Sequence, residues 1–183
     1  MSRLPDLAHD RLSPEQRKVH DAIVAGPRGR VEGPLKVWLM SPELAHRAQE
    51  LGAFCRYGTS LPERLSELAI LITGAFWKAG FEWHVHAPIG IKAGLDRNAV
   101  EAIRTGKKPA FQRADEAAVY DFVRELLQSR RIAEATYQRA ATELGTLGVV
   151  ELVGILGYYG LISMTITAFE VPVPDGATDP FSD

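Results

Sequence analysis

Only one cysteine, Cys55, occurs among the 183 residues. A lone thiol excludes an internal disulfide, a CxxC redox pair and a thiolate zinc site of the finger kind. It also fits a reducing compartment. Neither sign of charge dominates, because 21 Lys and Arg stand against 23 Asp and Glu, a formal charge of -2. That balance leaves no electrostatic footprint for a nucleic-acid backbone or an anionic membrane surface, and neither is expected as a partner. The basic patch QSRRIAE ends on Glu134 and reads as a solvated helix face. The opening MSRLPDLAHD lacks an apolar h-region and meets Pro5 and Asp6 early, so a secretory leader is not expected and the cytoplasm is. There is no dinucleotide fingerprint and no Walker loop; GPRGR at Gly26–Arg30 is too short, and no organic cofactor is expected.

What remains is enough apolar residue, 46%, to fill one core in a chain of single-domain length, residues 1–183. Its punctuation is helical. Ser13 caps a first helix that has Pro14 at its first position and Glu15 in its first turn, with Leu12, Val19, Ile23 and Val24 as its apolar side. The loop GPRGRVEGP follows, placed to reach a ligand or a neighbouring subunit. Ser41–Pro42–Glu43 starts another helix, on which Leu44, Ala48, Leu51 and Cys55 recur at helical spacing. The next begins around Ser60, Leu61 and Pro62 and carries Leu65, Leu68, Ala69, Ile72 and Phe76 on one face. Gly80 interrupts it, and a further helix runs from Phe81 or Glu82 towards Ala93. Gly94 closes that helix and Asp96 caps its successor. Asp115 is a candidate cap for EAAVYDFVRELLQSR. No strand-like alternation survives, and the short connections favour antiparallel neighbours. The fold class is therefore all-α, a bundle of short antiparallel helices, with an arm over residues 1–30 and an extended tail over 170–183.

One stretch, LGVVELVGILGYYGLISMTITAF at Leu147–Phe169, is long enough to cross a bilayer. Glu151, its glycines and the lack of flanking basic residues point instead to a buried central helix or a subunit interface.

Usable chemistry concentrates in AGFEWHVHAP, Ala79–Pro88. On a helix Glu82 and His86 share a face, whereas Trp83 and His84 point elsewhere. A metal reading needs three or more converging ligands, so Glu67 or His46 would have to arrive from another helix, and the run is not HExxH. An acid–base reading needs less: a carboxylate beside an imidazole fixes its tautomer and raises its proton affinity. The plain alternative is a surface ion pair. Glu67 and the aromatic neighbours Trp77, Phe81 and Trp83 favour a pocket.

The stretch PERLSELAILITGAFWKAGFEWHVHAPIGIKAGLDRNAVEAI, residues 62–103, resembles the carboxymuconolactone decarboxylase family, which includes the alkylhydroperoxidase D (AhpD) type. Against the glutamate–cysteine–cysteine–histidine pattern of the peroxidase branch, Glu67 and His86 match the outer residues, while Ala79 and Glu82 occupy the cysteine positions. The resemblance implies an AhpD-like helical fold and a homo-oligomer, as a dimer, trimer or hexamer. Peroxide reduction through a disulfide needs an attacking and a resolving thiol, so the family-level peroxidase activity does not carry over. For the decarboxylase branch the resemblance implies a lyase acting on a small organic acid or carboxylated lactone. His86 is then the candidate proton donor, Glu82 orients it, and Glu67 serves as second acid or relay. Arg64 or Arg56 would hold a substrate carboxylate, beside Trp83 and Trp77. Two alternatives stand beside this: a cysteine-independent, metal-dependent oxidoreductase, and a non-catalytic oligomeric protein that binds a small ligand.

Overall fold

The computed structural model describes residues 2–5 and 7–182. Eight α-helices follow in order among them: α1 Pro14–Ala25, α2 Pro34–Trp38, α3 Pro42–Tyr57, α4 Glu63–Phe76, α5 Gly80–Lys92, α6 Arg97–Arg104, α7 Ala114–Ser129 and α8 Glu134–Phe169. Short 3₁₀ turns lie at His9–Arg11 and Pro174–Gly176, and no strand occurs among the described residues. The all-α expectation holds. The helices are not uniformly short, because α8 runs for 36 residues and is broken only at Gly145, whose φ of 69° and ψ of 169° leave the helical region.

The bundle is organised around α4, which packs against α5, α7 and α8. Its sequence explains why: eleven consecutive residues, Arg64 to Gly74, are buried, as only an element surrounded on all sides allows. Leu68, Ala69 and Ile70 of α4 meet Leu152 and Ile155 of α8 in one continuous core. The helix α8 is apolar and long enough to span a bilayer, yet it packs against α4, α7 and α3 as the central helix of a globular bundle. The lone charge of its apolar stretch Leu147–Phe169, Glu151, has a local duty, since its carboxylate accepts hydrogen bonds from the Ser60 backbone N–H and hydroxyl just ahead of α4.

Several sequence expectations shift by part of a turn. The capping box at Ser13 forms with Gln16, and Val19 and Ile23 are buried, but Val24 faces solvent. On α3 the buried stripe is Ala45, Ala48, Gly52 and Cys55, which leaves Leu44 and Leu51 exposed. Small residues let α3 approach α8 closely there, so packing overrides the larger side chains. Asp115 does not cap α7; Arg113 occupies that position, and the Asp115 carboxylate pairs with Arg64 instead. The tail docks on the bundle: Arg104 donates to the Pro180 carbonyl, and Phe181 packs edge-on against Trp83.

The connection between α4 and α5 sets the geometry of everything near Glu82. It is not Gly80 that turns the chain. The Lys78 N–H donates to the Ala75 carbonyl and the Ala79 N–H to the Gly74 carbonyl, a Schellman motif with Lys78 in the left-handed region at φ 51°. The same bond pattern ends α5 through Gly94, where glycine takes that conformation without Cβ strain. Two packed helices joined by three residues form a helical hairpin. Replacing Lys78 by Gly removes the left-handed penalty and is expected to stabilise the protein by about 0.5–1 kcal/mol, read as a higher chemical-denaturation midpoint. An unchanged or lower midpoint would mean that the Lys78 side chain contributes more than its backbone strain costs.

Candidate active site

The hairpin brings a carboxylate of α4 against an imidazole of α5. The His86 Nδ1 hydrogen-bonds with Glu67 Oε2 at 2.7 Å. On the other side of the ring, Nε2 lies 2.8 Å from Glu82 Oε1, one helical turn back. All three groups are nearly sealed, at 2% exposure for Glu67, 4% for Glu82 and 3% for His86. Charges removed from water to this degree persist only when paired, so the three stabilise one another or not at all. Burial by itself would push the His86 pKa down. The attraction of Glu82 and the hydrogen bonds to Glu67 and Glu82 outweigh it, and the pKa rises from 6.5 to about 9. At neutral pH the ring is therefore an imidazolium held between two carboxylates.

Glu82 and His86, but not Glu67, line a cavity of about 560 Å³. Its other walls come from distant parts of the chain. Arg28 and Arg30 arrive on the loop between α1 and α2, Arg56 from the end of α3, and Tyr158 and Tyr159 from α8. The Tyr159 ring stands edge-on to His86, with centroids 5.3 Å apart, and Tyr158 stands edge-on to Tyr159 at 5.2 Å. Burial raises the pKa of both phenols, that of Tyr158 to about 12, so both are neutral hydrogen-bonding groups. Arg28 donates to the Tyr158 hydroxyl at 3.0 Å and so ties the loop to α8. Gly52 on α3 makes that contact possible, because a Cβ there would overlap both the Tyr158 hydroxyl and the Arg28 guanidinium. Arg56 lies over the Tyr57 ring at 5.2 Å and has no carboxylate partner among the described residues.

Of the residues singled out from sequence, Glu67, Glu82, His86 and Arg56 are at or behind this wall. Glu67, not Glu82, makes the hydrogen bond to Nδ1 that orients the ring. Arg64 is elsewhere. It is buried in ion pairs with Asp115 and Glu116, which engage both of its terminal nitrogens, and it does not line the cavity. Trp83 packs against Phe181 and Trp77 against Phe76, both away from the cavity wall. His46 is on the surface beside Glu50. The two carboxylates sit on opposite nitrogens of His86, so Glu67, Glu82 and His86 cannot converge on one metal ion as they stand. Cys55 is buried, and burial raises its thiol pKa, the reverse of what a reactive thiolate needs. Sequence reasoning missed Arg28, Tyr158 and Tyr159. The one available signal was the arginine pair in GPRGRVEGP, a loop already expected to reach a ligand.

No protein-family model matches the sequence, and no curated protein matches it. Solved structures do. An uncharacterized peroxidase-related protein from Silicibacter sp. TM1040 superposes with a TM-score of 0.75 at 15% identity, over 93% of this chain and 91% of that one. The AhpD core of an uncharacterized peroxidase-related protein from Ralstonia eutropha JMP134 gives 0.76 at 14% identity, over 95% and 93%. A protein of unknown function from Agrobacterium tumefaciens, described as a putative antioxidant defence protein AhpD, gives 0.68 at 13% identity, over 78% and 99%. The fold is AhpD-like. Identities this low speak to architecture, so the chemistry has to be argued from the residues themselves.

The elevated His86 pKa links stability to pH. The folded value of about 9 lies above the ordinary 6.5, so the stabilisation is fully present below pH 6.5 and is lost as pH rises through 9. Denaturation midpoints measured from pH 6 to 10 should fall over that window. Glu82→Gln should move the fall to lower pH, and a flat profile in the wild type would show that the ring is not held as an imidazolium.

Proposed function

We propose that the protein is a cofactor-free acid–base enzyme of the lyase type, similar in reaction to carboxymuconolactone decarboxylase and acting on a small carboxylated or unsaturated lactone. The observation that carries this reading is the buried imidazolium of His86, shared between Glu67 and Glu82 at the wall of a cavity that also presents Arg56. Such a site offers a proton and positive charge in a place shielded from water, where both act strongly.

In the reaction the bond from ring carbon to carboxylate breaks and carbon dioxide leaves. The electron pair passes into the conjugated lactone carbonyl as a dienolate, and a carbon atom then takes up one proton. The junction of His86 Nε2 and Glu82 is the proton source, because it is the part of the triad that borders the cavity. Glu67 acts behind it: by accepting from Nδ1 it fixes the ring and keeps it charged. Arg56 would neutralise a substrate carboxylate that is retained or the developing oxyanion. Isomerisation, hydrolysis or dehydration of a related lactone would use the same groups. Thiol-based peroxide reduction would not, since Ala79 and Glu82 stand where its cysteines belong and Cys55 is sealed away.

The test is a screen of small unsaturated and carboxylated lactones for carbon dioxide release and for incorporation of solvent deuterium. Glu82→Gln and His86→Gln, checked for folding by circular dichroism, should each lower turnover by about 10²-fold or more, the usual scale for losing a general acid. Equal rates in all three proteins would remove the triad from the chemistry. Tight binding of a lactone without turnover would turn the reading towards a ligand-binding protein.

We also infer a soluble, cytoplasmic homo-oligomer. Leu147, Val150, Val153 and Met164 on α8 and Leu44, Leu51 and Phe54 on α3 are exposed, more apolar surface than scattered single residues explain. Sedimentation velocity should show a dimer or larger species, and a monomer at micromolar concentration would count against self-association.

A further inference from the structure

A second cluster of chemistry-bearing side chains lies outside the cavity, where the N-terminal arm crosses α1. His9 sits in the 3₁₀ turn His9–Arg11, while His20 and Asp21 are in the second half of α1. Asp21 Oδ1 is 3.0 Å from His20 Nδ1 and 3.5 Å from His9 Nε2. One donor atom from each residue lies within 4.8 Å of the others. The imidazole rings do not stack; their centroids are 4.7 Å apart with planes 63° to one another, so their nitrogens meet beside the carboxylate.

Core packing does not account for this meeting, since none of the three residues of the 3₁₀ turn is buried. A hydrogen bond to Asp21 needs only one imidazole, and His20 supplies it at half-buried depth. His9, more than half exposed, is brought to the same oxygen from the other side. We propose that His9, His20 and Asp21 form a binding site for one divalent transition-metal ion of the zinc class. Around a tetrahedral zinc with bonds of 2.0–2.1 Å, neighbouring donors are about 3.3 Å apart, so the two measured separations bracket the required edge within a few tenths of an ångström. Two imidazoles and one carboxylate suit zinc, nickel or copper and do not suit magnesium or calcium, which seek oxygen donors. Three protein ligands leave a fourth position for water on the exposed side. Arg17 and Lys18 border the same shallow recess as Asp21, and their charges weaken the site without blocking it. The bound ion ties the arm to α1 and so stabilises the folded chain by mass action.

Isothermal titration of the full chain with zinc chloride, and with magnesium chloride as control, tests the assignment. Wild type should bind one equivalent of zinc, with a matching rise in thermal midpoint, and should not respond to magnesium. His9→Ala and Asp21→Asn alter exposed side chains, so folding is retained. Each should lose about tenfold or more in affinity, since removing a ligand costs at least as much as removing the residue behind one. Absence of zinc binding would overturn the proposal. So would binding that survives in both variants, or that is lost in Glu82→Gln instead, which would put the ion in the cavity.

Discussion

The paired burial of His86 is the constraint on which the rest of the site depends. An imidazolium sealed from water needs a carboxylate close by, and it has one on each nitrogen. Removing either carboxylate leaves the ring with half of its compensation in a region where solvent cannot supply the remainder. Glu67 and Glu82 depend on His86 in the same way, since two neighbouring carboxylates without the cation would repel one another. The triad is thus a structural unit as much as a chemical one. Its placement on the most buried helix of the bundle, α4, and on that helix's hairpin partner ensures that it moves little.

Around this fixed unit the cavity is assembled from parts that are free to differ. The loop bearing Arg28 and Arg30 lies far from α5 in sequence and is tied to α8 by the hydrogen bond from Arg28 to Tyr158, while Val31 packs against the core. Helix α5 supplies one wall of the cavity through Glu82, Val85, His86 and Ile89, and the Arg28–Arg30 loop, the end of α3 and the second half of α8 supply others. In the proposed reaction α5 would supply the proton, and the surface loop, where change is tolerated, would shape the choice of substrate.

How much of this was readable without coordinates varied with the range of the interaction. Glu82 and His86 are one helical turn apart, so their meeting follows from helical spacing alone. Glu67 is nineteen positions from His86, on another helix, so spacing leaves it a candidate beside His46 and only the resemblance to a family pattern singles it out. Arg28 and Tyr158 are 130 positions apart, and no local rule joins them. Arg64, expected to hold a substrate carboxylate, is instead claimed by Asp115 and Glu116 on α7, about fifty positions away, and no local rule joins them either. On α3 the error was one of phase. Leu44 and Leu51 are the larger hydrophobes, but close approach to α8 at Gly52 requires the small-residue stripe to face inwards.

The three-residue link between α4 and α5 acts as a ruler. A helix advances about 100° per residue, so one amino acid gained or lost there would swing Glu82 and His86 roughly a quarter-turn away from Glu67. The capping bonds that involve Lys78 and Ala79 leave no slack to absorb the error. Side chains in this region can be exchanged, as Lys78 in a glycine-type position already illustrates, but the number of residues cannot. Among descendants of this chain, length should be frozen at that corner even where composition drifts.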